Sequence, residues 1–246
     1  MKTELKTQYG IVAMIDALGI RNATIQESKD FIHGIQDIVA SVPPFVSKYL
    51  EDSPKSKKIE IEPPQLTTFG DTCIFTWEMK PGELSDFLPD VGVFLSYVII
   101  LGLRNKLAFR GALSVGNYIQ SGATILGPAI SDAAAWYDTA EMIGVIATPQ
   151  CGQLLSTTNE TKRFTTMEFL KYSVPIKCNI SKELWVTGWP DLLDAISHKD
   201  EPNFYKTYFS LIQHFPIPKG TEEKYFNTEK FVKWAKPPNM FLASAV

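Results

Sequence analysis

The chain has 246 residues, 45% hydrophobic and 12% aromatic, which is enough for one sizeable core or at most two small ones, and we favour a single elaborated domain. Its formal net charge of −3 comes from 24 basic and 27 acidic residues without a long block of either sign, so nucleic acid is not indicated as a main partner. Only three cysteines occur, without CxxC spacing, which argues against a disulfide framework or zinc cluster and favours a reducing compartment.

The apolar segments indicate neither secretion nor membrane insertion. The N-terminal residues "MKTELKTQYG" lack the apolar core of a signal peptide. The most apolar run, residues 91–103, is shorter than the roughly 20 residues of a membrane span and is followed directly by Arg104. We therefore expect a buried helix, no membrane span, and a soluble cytoplasmic protein.

The first predicted elements are a strand and a helix. Residues 9–19, "YGIVAMIDALG", form an apolar run that ends in Asp16 and Gly19, which is typical of a central strand passing into a loop. Residues 24–42 place apolar side chains close to helical spacing, and Pro43-Pro44 is expected to interrupt this helix.

A surface loop and a hairpin follow. Residues 51–64 are polar and contain three prolines, so they predict a surface loop. In "LTTFGDTC", residues 66–73, β-branched and aromatic residues flank Gly70-Asp71, which predicts two strands joined by a two-residue turn. Glycine reaches positive φ without a steric penalty, so such a turn needs no function to explain it.

Helices and strands also alternate among the elements predicted after the hairpin. We predict a helix over residues 83–103 broken near Pro89, a strand over 106–120, a glycine turn into an alanine-rich helix, and a strand over 144–150. The order strand, helix, hairpin, helix, strand, helix, strand predicts an α+β sandwich, an antiparallel sheet covered by helices on one side.

The pattern weakens after residue 158. Residues 174–190 are predicted to form a hairpin arm, and residues 191–236 two or three amphipathic helices with proline-rich breaks. We therefore separate residues 1–158 from residues 159–246, which add the arm and a mainly helical extension to the same domain.

Two carboxylates are predicted to meet. Asp16 and Asp71 lie where their strands turn, and neighbouring strands would bring them to one edge of the sheet. A carboxylate pair with an adjacent backbone carbonyl is the usual protein contribution to Mg²⁺, which keeps other positions for water and phosphates. An ordinary loop aspartate is the alternative interpretation of each residue.

At this point a family resemblance becomes visible over roughly residues 8–150. The succession "VAMIDALGI", "TTFGDTCIF", "AFRGALSVG" and "ILGPAISDAAAWYDTAEMIGVIATP" resembles the class III nucleotidyl cyclases. In that family an aspartate-x-x-glycine ends the first strand, a glycine-aspartate caps the hairpin, a strand carries Arg-x-Gly, and a glycine turn opens the dimer-facing helix. The resemblance implies a class III cyclase-like, ferredoxin-like sheet, with residues 1–158 as the catalytic domain.

The resemblance also implies a set of site residues. Asp16 and Asp71 would bind two divalent ions, Mg²⁺ or Mn²⁺, with the Ala17 carbonyl as a further ligand. Backbone N–H groups around Leu18 and Gly19 would hold the triphosphate of a nucleoside triphosphate substrate. The sites of such enzymes form between two subunits, so a homodimer is implied.

Several positions depart from the purine cyclases. Their asparagine and arginine on the helix after the glycine turn correspond to Ser131 and Ala135. Their adenine-reading lysine corresponds to Thr67, and the aspartate before the glycine turn to Thr124. Because metal-binding positions are kept and base-reading positions are lost, we do not expect a conventional adenylate or guanylate cyclase.

The chain is most similar to a divergent branch, the bacterial uridylate and cytidylate cyclases of the Pycsar anti-phage systems. That branch combines the two metal aspartates with an "RG" strand and a "GPA" turn before an alanine- and tyrosine-containing helix, as Arg110-Gly111, Gly127-Pro128-Ala129 and Tyr137 do here. The resemblance implies conversion of UTP or CTP to the 3′,5′-cyclic monophosphate and pyrophosphate as a defence signal, with the choice of base left open.

The remaining candidates have more than one interpretation. Arg110 lies in an apolar strand and needs a carboxylate or phosphate partner, so it either forms a structural ion pair at the dimer interface or is catalytic. Lys177 is the candidate for the phosphate-binding lysine on the arm, with Lys182 or solvated lysines as alternatives. Hydroxyls of Thr67, Thr124 and Tyr137 are candidates for contacts with a base edge.

Two other functions stay open on the sequence. A catalytically silent cyclase-like module that binds nucleotide or dimerises would explain the missing asparagine and arginine. A divergent purine cyclase with an unusual pocket is the third possibility.

Overall fold

The computed structural model describes residues 5–20, 24–51, 63–197, 204–213 and 217–236. The first six elements are β1 (Thr7–Ala17), α1 (Ile25–Glu51), β2 (Gln65–Phe69), β3 (Thr72–Glu78), α2 (Leu84–Arg104) and β4 (Phe109–Ser121). The next five are β5 (Thr124–Leu126), α3 (Pro128–Trp136), β6 (Gly144–Ala147), α4 (Pro149–Lys162) and β7 (Phe169–Ile176). The last four are β8 (Ile180–Thr187), α5 (Trp189–Ser197), α6 (Phe204–Ile212) and α7 (Glu222–Ala235).

One sheet organises these elements. Its strands run in the order β2-β3-β1-β4-β6-β8-β7, with β5 paired to β4. The first four strands pair antiparallel and are linked by α1 and α2, which is the ferredoxin-like arrangement. The predicted α+β class is confirmed, with one exception to the antiparallel pattern: β6 pairs parallel to β4.

The two faces of the sheet are covered differently. Ile11, Ala13 and Ile15 of β1 belong to the main core, which includes buried residues of α1 and α2. Val12 points to the other face, where a second, smaller core includes Ile74 and residues of α3. The prediction of helices on one side thus holds for α1 and α2 but not for α3, which shields apolar side chains that the alternation of β1 and β3 places on the opposite face.

The predicted end of the first helix was wrong. α1 continues through Pro43 and Pro44 to Glu51. Val42 and Val46 on either side of the prolines are 0% and 1% exposed, so core packing offsets the lost backbone hydrogen bonds. The predicted surface loop lies mostly outside the described residues, because residues 52–62 are not among them.

α2 is the most apolar helix of the described chain. It runs without the predicted break at Pro89, and residues 91–103 form the expected buried helix. By length and composition α2 could cross a membrane, with a mean hydropathy of 1.7, but 72% of its apolar window is buried inside the protein. That burial is typical of the core helix of a soluble protein.

The second half adds to the same sheet. The strand predicted over residues 144–150 ends at Ala147, and the missed helix α4 begins at Pro149. Residue 158, where we divided the chain, lies inside α4. The predicted hairpin arm is present as β7 and β8, which join the sheet through the pair Ile146 and Val186, and three helices follow as predicted.

Candidate active site

The β2–β3 turn brings Asp71 to the end of β1. Gly70 has φ +62° while Asp71 does not have positive φ, which is the pattern of a type II′ hairpin turn. The backbone N–H of Ala17 donates to the carbonyl of Asp71 at 3.1 Å. The strand end that carries Asp16 and the turn that carries Asp71 therefore meet at one edge of the sheet, as the sequence predicted.

Asp16 lies between two strands and is mostly buried. It stands opposite Thr72 on β3 and Arg110 on β4, and its Oδ2 lies 3.7 Å from the Nε of Arg110. Burial, and then the charge of Asp71, raise the pKa of Asp16 to about 6, while Arg110 and a hydrogen bond from Thr72 act in the opposite direction. A carboxylate in this setting gains from a nearby cation.

Arg110 is held from several sides within one chain. Its Nη1 donates to the carbonyl oxygens of Asp138 at 2.7 Å and Ala140 at 3.3 Å. The same nitrogen lies 3.6 Å from Oε1 of Glu141. Its buried Nε has no hydrogen-bond partner and faces Asp16. The guanidinium is therefore shared between the carboxylates of Asp16 and Glu141.

Sequence reasoning missed Glu141 and Lys224. The Nζ of Lys224, on α7, lies 2.9 Å from Oε2 of Glu141. Glu141 interrupts the apolar run Ala140-Glu141-Met142-Ile143, the same kind of signal that marked Arg110. Lys224 has no such local signal. Asp16, Asp71, Arg110, Glu141 and Lys224 are called the charged end below.

Tyr137 and Lys177 lie beside the charged end. Burial raises the pKa of Tyr137, and the charges of Asp16 and Asp138 raise it further. The ammonium group of Lys177 is hydrogen bonded to the carboxylate of Asp138. Lys182, the alternative lysine, instead has its Nζ over the ring of Trp136, 5.2 Å from the centroid.

The predicted triphosphate-binding backbone is partly engaged. The N–H of Leu18 donates to the carbonyl of Ala108 at 2.8 Å, so it is already paired. Pro218, just before α7, packs against Gly19, with its Cγ 2.2 Å from where a Cβ on Gly19 would lie. The C-terminal segment thus reaches the loop that follows Asp16.

Thr67 belongs to a different polar group. Its Oγ1 accepts a hydrogen bond from Nε2 of Gln120 at 3.3 Å, and the hydroxyl of Thr76 donates to Oε1 of Gln120 at 3.2 Å. We call Thr67, Thr76 and Gln120 the neutral patch. Thr124 pairs with Ser121, the residue after Gln120, at the end of β4 opposite to Arg110.

The helix after the glycine turn presents small side chains. Gly127 precedes α3 with φ +138°, and a Cβ there would lie 2.7 Å from the Cα of Tyr118, so only glycine fits. Ser131 and Ala135 are both exposed on α3. No charged side chain stands at these two positions.

The donor set suits a hard divalent cation that shares its coordination with substrate. The described residues contain no group of three or more histidine, cysteine, aspartate or glutamate side chains arranged for a metal. Mg²⁺ is typically bound by one or two carboxylates together with phosphate oxygens and water, and the pair Asp16 and Asp71 provides such carboxylates. Burial and then the charge of Asp71 raise the pKa of Asp16, and a bound cation would offset both effects.

The chain is similar to known proteins in structure. No family model matches the chain. No curated protein matches it either. A solved structure to which it is similar is the catalytic core of a rhodopsin-guanylyl cyclase with converted specificity in complex with ATPalphaS, at 15% identity and a TM-score of 0.46, covering 75% of this chain and 98% of that one.

Two further solved structures are similar at the same level. The guanylyl cyclase Cya2 has 10% identity and a TM-score of 0.41, covering 74% of this chain and 91% of its own. The adenylate/guanylate cyclase/hydrolase from Silicibacter pomeroyi has 12% identity and a TM-score of 0.42, covering 74% of this chain and 96% of its own. Such values carry no conclusion about activity, which depends on the residues of the site.

Proposed function

We propose that this protein is a metal-dependent nucleotidyl cyclase that converts UTP or CTP to the 3′,5′-cyclic monophosphate and pyrophosphate. The observation that carries the proposal is the convergence of Asp16 and Asp71 at one edge of the sheet, where burial and mutual repulsion raise the pKa of Asp16 to about 6. Such a pair is suited to a divalent cation that also binds phosphate.

The reaction joins the ribose 3′-oxygen to the α-phosphorus. The bond from the α-phosphorus to the pyrophosphate oxygen breaks, pyrophosphate leaves, and one proton is released. Mg²⁺ or Mn²⁺ held by Asp16, Asp71 and the Ala17 carbonyl would, when bound, make the 3′-hydroxyl more acidic and neutralise charge on the phosphates.

The other side chains position and neutralise charge. Arg110 orients Asp16 through the 3.7 Å contact and is itself fixed by carbonyl oxygens. Lys177, next to Asp138, would bind a phosphate of the substrate, because a triphosphate offers its ammonium group a more highly charged partner than one carboxylate. Tyr137 adds a neutral hydroxyl beside Asp16, since its pKa is raised above the usual value for tyrosine.

The preference for a pyrimidine is supported by neutral groups where purine cyclases carry charged ones. Thr67 is bonded to the amide of Gln120, and a hydroxyl with an amide offers both donors and acceptors to a base edge. The proposal includes a homodimer, in which one copy supplies the metal carboxylates and the other the base contacts. A cytoplasmic role in anti-phage signalling belongs to the same proposal.

Turnover of the four α-labelled ribonucleoside triphosphates with Mn²⁺ tests the proposal. We expect a cyclic product from UTP or CTP that disappears in the Asp71→Asn variant. Asp37→Asn is the matched control, because it makes the same change at an exposed aspartate on α1. Product from the Asp71→Asn variant at the parent's rate would contradict the metal assignment.

Two other outcomes would replace the proposal. Cyclic product from ATP or GTP alone would identify a divergent purine cyclase. Binding of a triphosphate by calorimetry without product from any of the four would favour the silent nucleotide-binding module, which the small exposed side chains of Ser131 and Ala135 on α3 also suit.

A further inference from the structure

Four side chains of alternating charge connect the C-terminal helix with the predicted metal carboxylates. Asp16 lies 3.7 Å from Arg110, Arg110 lies 3.6 Å from Glu141, and Glu141 lies 2.9 Å from Lys224. The side chains of Arg110, Glu141 and Lys224 are only 11%, 20% and 12% exposed. Ion pairs this sheltered from solvent are screened far less than surface pairs.

We propose that Lys224 is a positioning residue of the active site: it neutralises Glu141, so that Arg110 remains beside Asp16. This inference rests on the proposed function, because it concerns the same site. Under this inference α7 contributes a side chain to the active site, in addition to packing against the sheet.

The physical reason is competition for one guanidinium. Arg110 faces two carboxylates, Asp16 and Glu141, at nearly equal distances of 3.7 and 3.6 Å. Lys224 supplies Glu141 with a cation of its own at a shorter distance, 2.9 Å. Without that ammonium group the full charge of Glu141 would draw Arg110 away from Asp16, because attraction between buried charges is strong.

α7 has other attachments that keep it in place when Lys224 is changed. The side-chain amide of Asn227 donates to the carbonyl of Glu141 at 3.0 Å. The hydroxyl of Thr228 accepts a hydrogen bond from the N–H of Ile143 at 2.8 Å. Phe231 and Val232 of α7 are fully buried. A change confined to the ammonium group of Lys224 therefore tests charge rather than the docking of the helix.

The experiment compares Lys224→Met, Lys224→Arg and Lys233→Met. Lys233 is the matched control, because it lies on the same helix and pairs with a carboxylate, Glu229 at 2.6 Å, that belongs to α7 itself. The first readout is the Nε–H signal of Arg110 in ¹⁵N-arginine-labelled protein. The chain has only four arginines, and Arg110→Lys identifies the signal.

We expect the Arg110 signal to shift in the Lys224→Met variant. In the Lys233→Met and Lys224→Arg variants it should keep the position that it has in the parent. The second readout is turnover, in which Lys224→Met should lower kcat by about tenfold to a hundredfold with little change in KM, because misplacement of a positioning group costs rate rather than affinity. In Lys224→Met/Glu141→Gln, both the signal and kcat should return towards the parent, since the competing charge is gone.

Three results would overturn the inference. One is an unshifted Arg110 signal in folded Lys224→Met protein. Another is an equal fall of kcat in Lys233→Met. The third is failure of Glu141→Gln to restore the Arg110 signal in the Lys224→Met background, which also decides the matter if Lys224→Met alone folds poorly. If no triphosphate is turned over, the proposed function fails, while the signal of Arg110 still tests the role of Lys224.

Discussion

The charged end and the neutral patch lie on the same face of the sheet, yet they are held together in different ways. Arg110 of the charged end has partners on β1, on the segment after α3 and, through Glu141, on α7. Thr67 of the neutral patch is bonded to a single side chain, Gln120, three strands away in the sheet. A buried charge needs several partners, and a hydroxyl needs one. The charged end therefore depends on parts of the chain that are far apart in sequence.

The prediction with the largest expected effect concerns the subunit arrangement. It asks whether the charged end and the neutral patch form one site within a single chain or between two chains. Asp71→Asn damages the charged end, and Gln120→Arg blocks the neutral patch with a bulky charge. If the site lies between two copies, mixing the two inactive variants should restore activity to about a quarter of the parent's, because half of the dimers are mixed and each has one intact site. The measurement is cyclic nucleotide formed after the subunits are unfolded and refolded together.

The control for this mixture is each variant refolded with itself, which should stay inactive. A mixture without activity, from variants that both form dimers, would show that the charged end and the neutral patch act within one chain.

The next test removes the cation that the charged end shares. Arg110→Met leaves Asp16 facing no arginine and removes hydrogen bonds to two backbone carbonyls. Breaking a buried ion pair from one side typically costs about 3 to 5 kcal/mol, and we expect a loss of that size in the free energy of unfolding. Urea unfolding measures it, with Arg104→Met at the exposed end of α2 as the control. A loss below about 1 kcal/mol would mean that Arg110 is not needed for folding.

The pH dependence of stability should also separate the two regions. Asp16 has a folded-state pKa of about 6 against a usual value of 3.8, so between these values the folded protein binds more protons than the unfolded chain. Its contribution to the free energy of unfolding therefore falls as pH rises from about 4 to about 6. Asp16→Asn removes this slope and should be more stable than the parent above pH 6, by at most about 3 kcal/mol.

Urea unfolding at a series of pH values with a chelator present measures this difference. The parent and Asp16→Asn should converge in stability below about pH 3, where Asp16 is protonated in both folded and unfolded states. A variant that is less stable than the parent at pH 7 without metal would show that Asp16 gains more from Arg110 than it loses by burial.

The smallest effect is expected at the neutral patch. Thr67→Val keeps the shape of the side chain and removes the acceptor for Nε2 of Gln120. The free energy of unfolding should fall by only about 1 kcal/mol, without a dependence on pH. If the hydroxyl reads the base, KM for the preferred triphosphate should rise about tenfold while kcat changes little. An unchanged ratio of kcat/KM between UTP and CTP would remove Thr67 from the set of base contacts.

Local signals explain what the sequence could predict. The apolar run of β1, the Gly70-Asp71 turn and the glycine before α3 each specify their own structure within a few residues, so the elements and the meeting of Asp16 with Asp71 followed from the sequence. The end of α1 did not, because Val42 and Val46 are buried by contacts that no local pattern contains.

The partners of Arg110 show the same limit at the site. A charge inside an apolar strand predicted that Arg110 must have a counter-charge, but not which one. Its contact with Asp16 follows from the register of β1 and β4. The second carboxylate, Glu141, and its cation, Lys224, are set by the docking of α7 on the sheet, which depends on tertiary packing.

The position of Lys224 late in the chain has a consequence for synthesis. During translation α7 leaves the ribosome after every other described element, so Asp16, Asp71 and Arg110 can assemble while Glu141 still lacks Lys224. A product of premature termination before Glu222 would keep Asp16 and Asp71 but not the cation that balances Glu141. Under the proposed function, such an incomplete copy would lack the positioning residue Lys224 and would form little product.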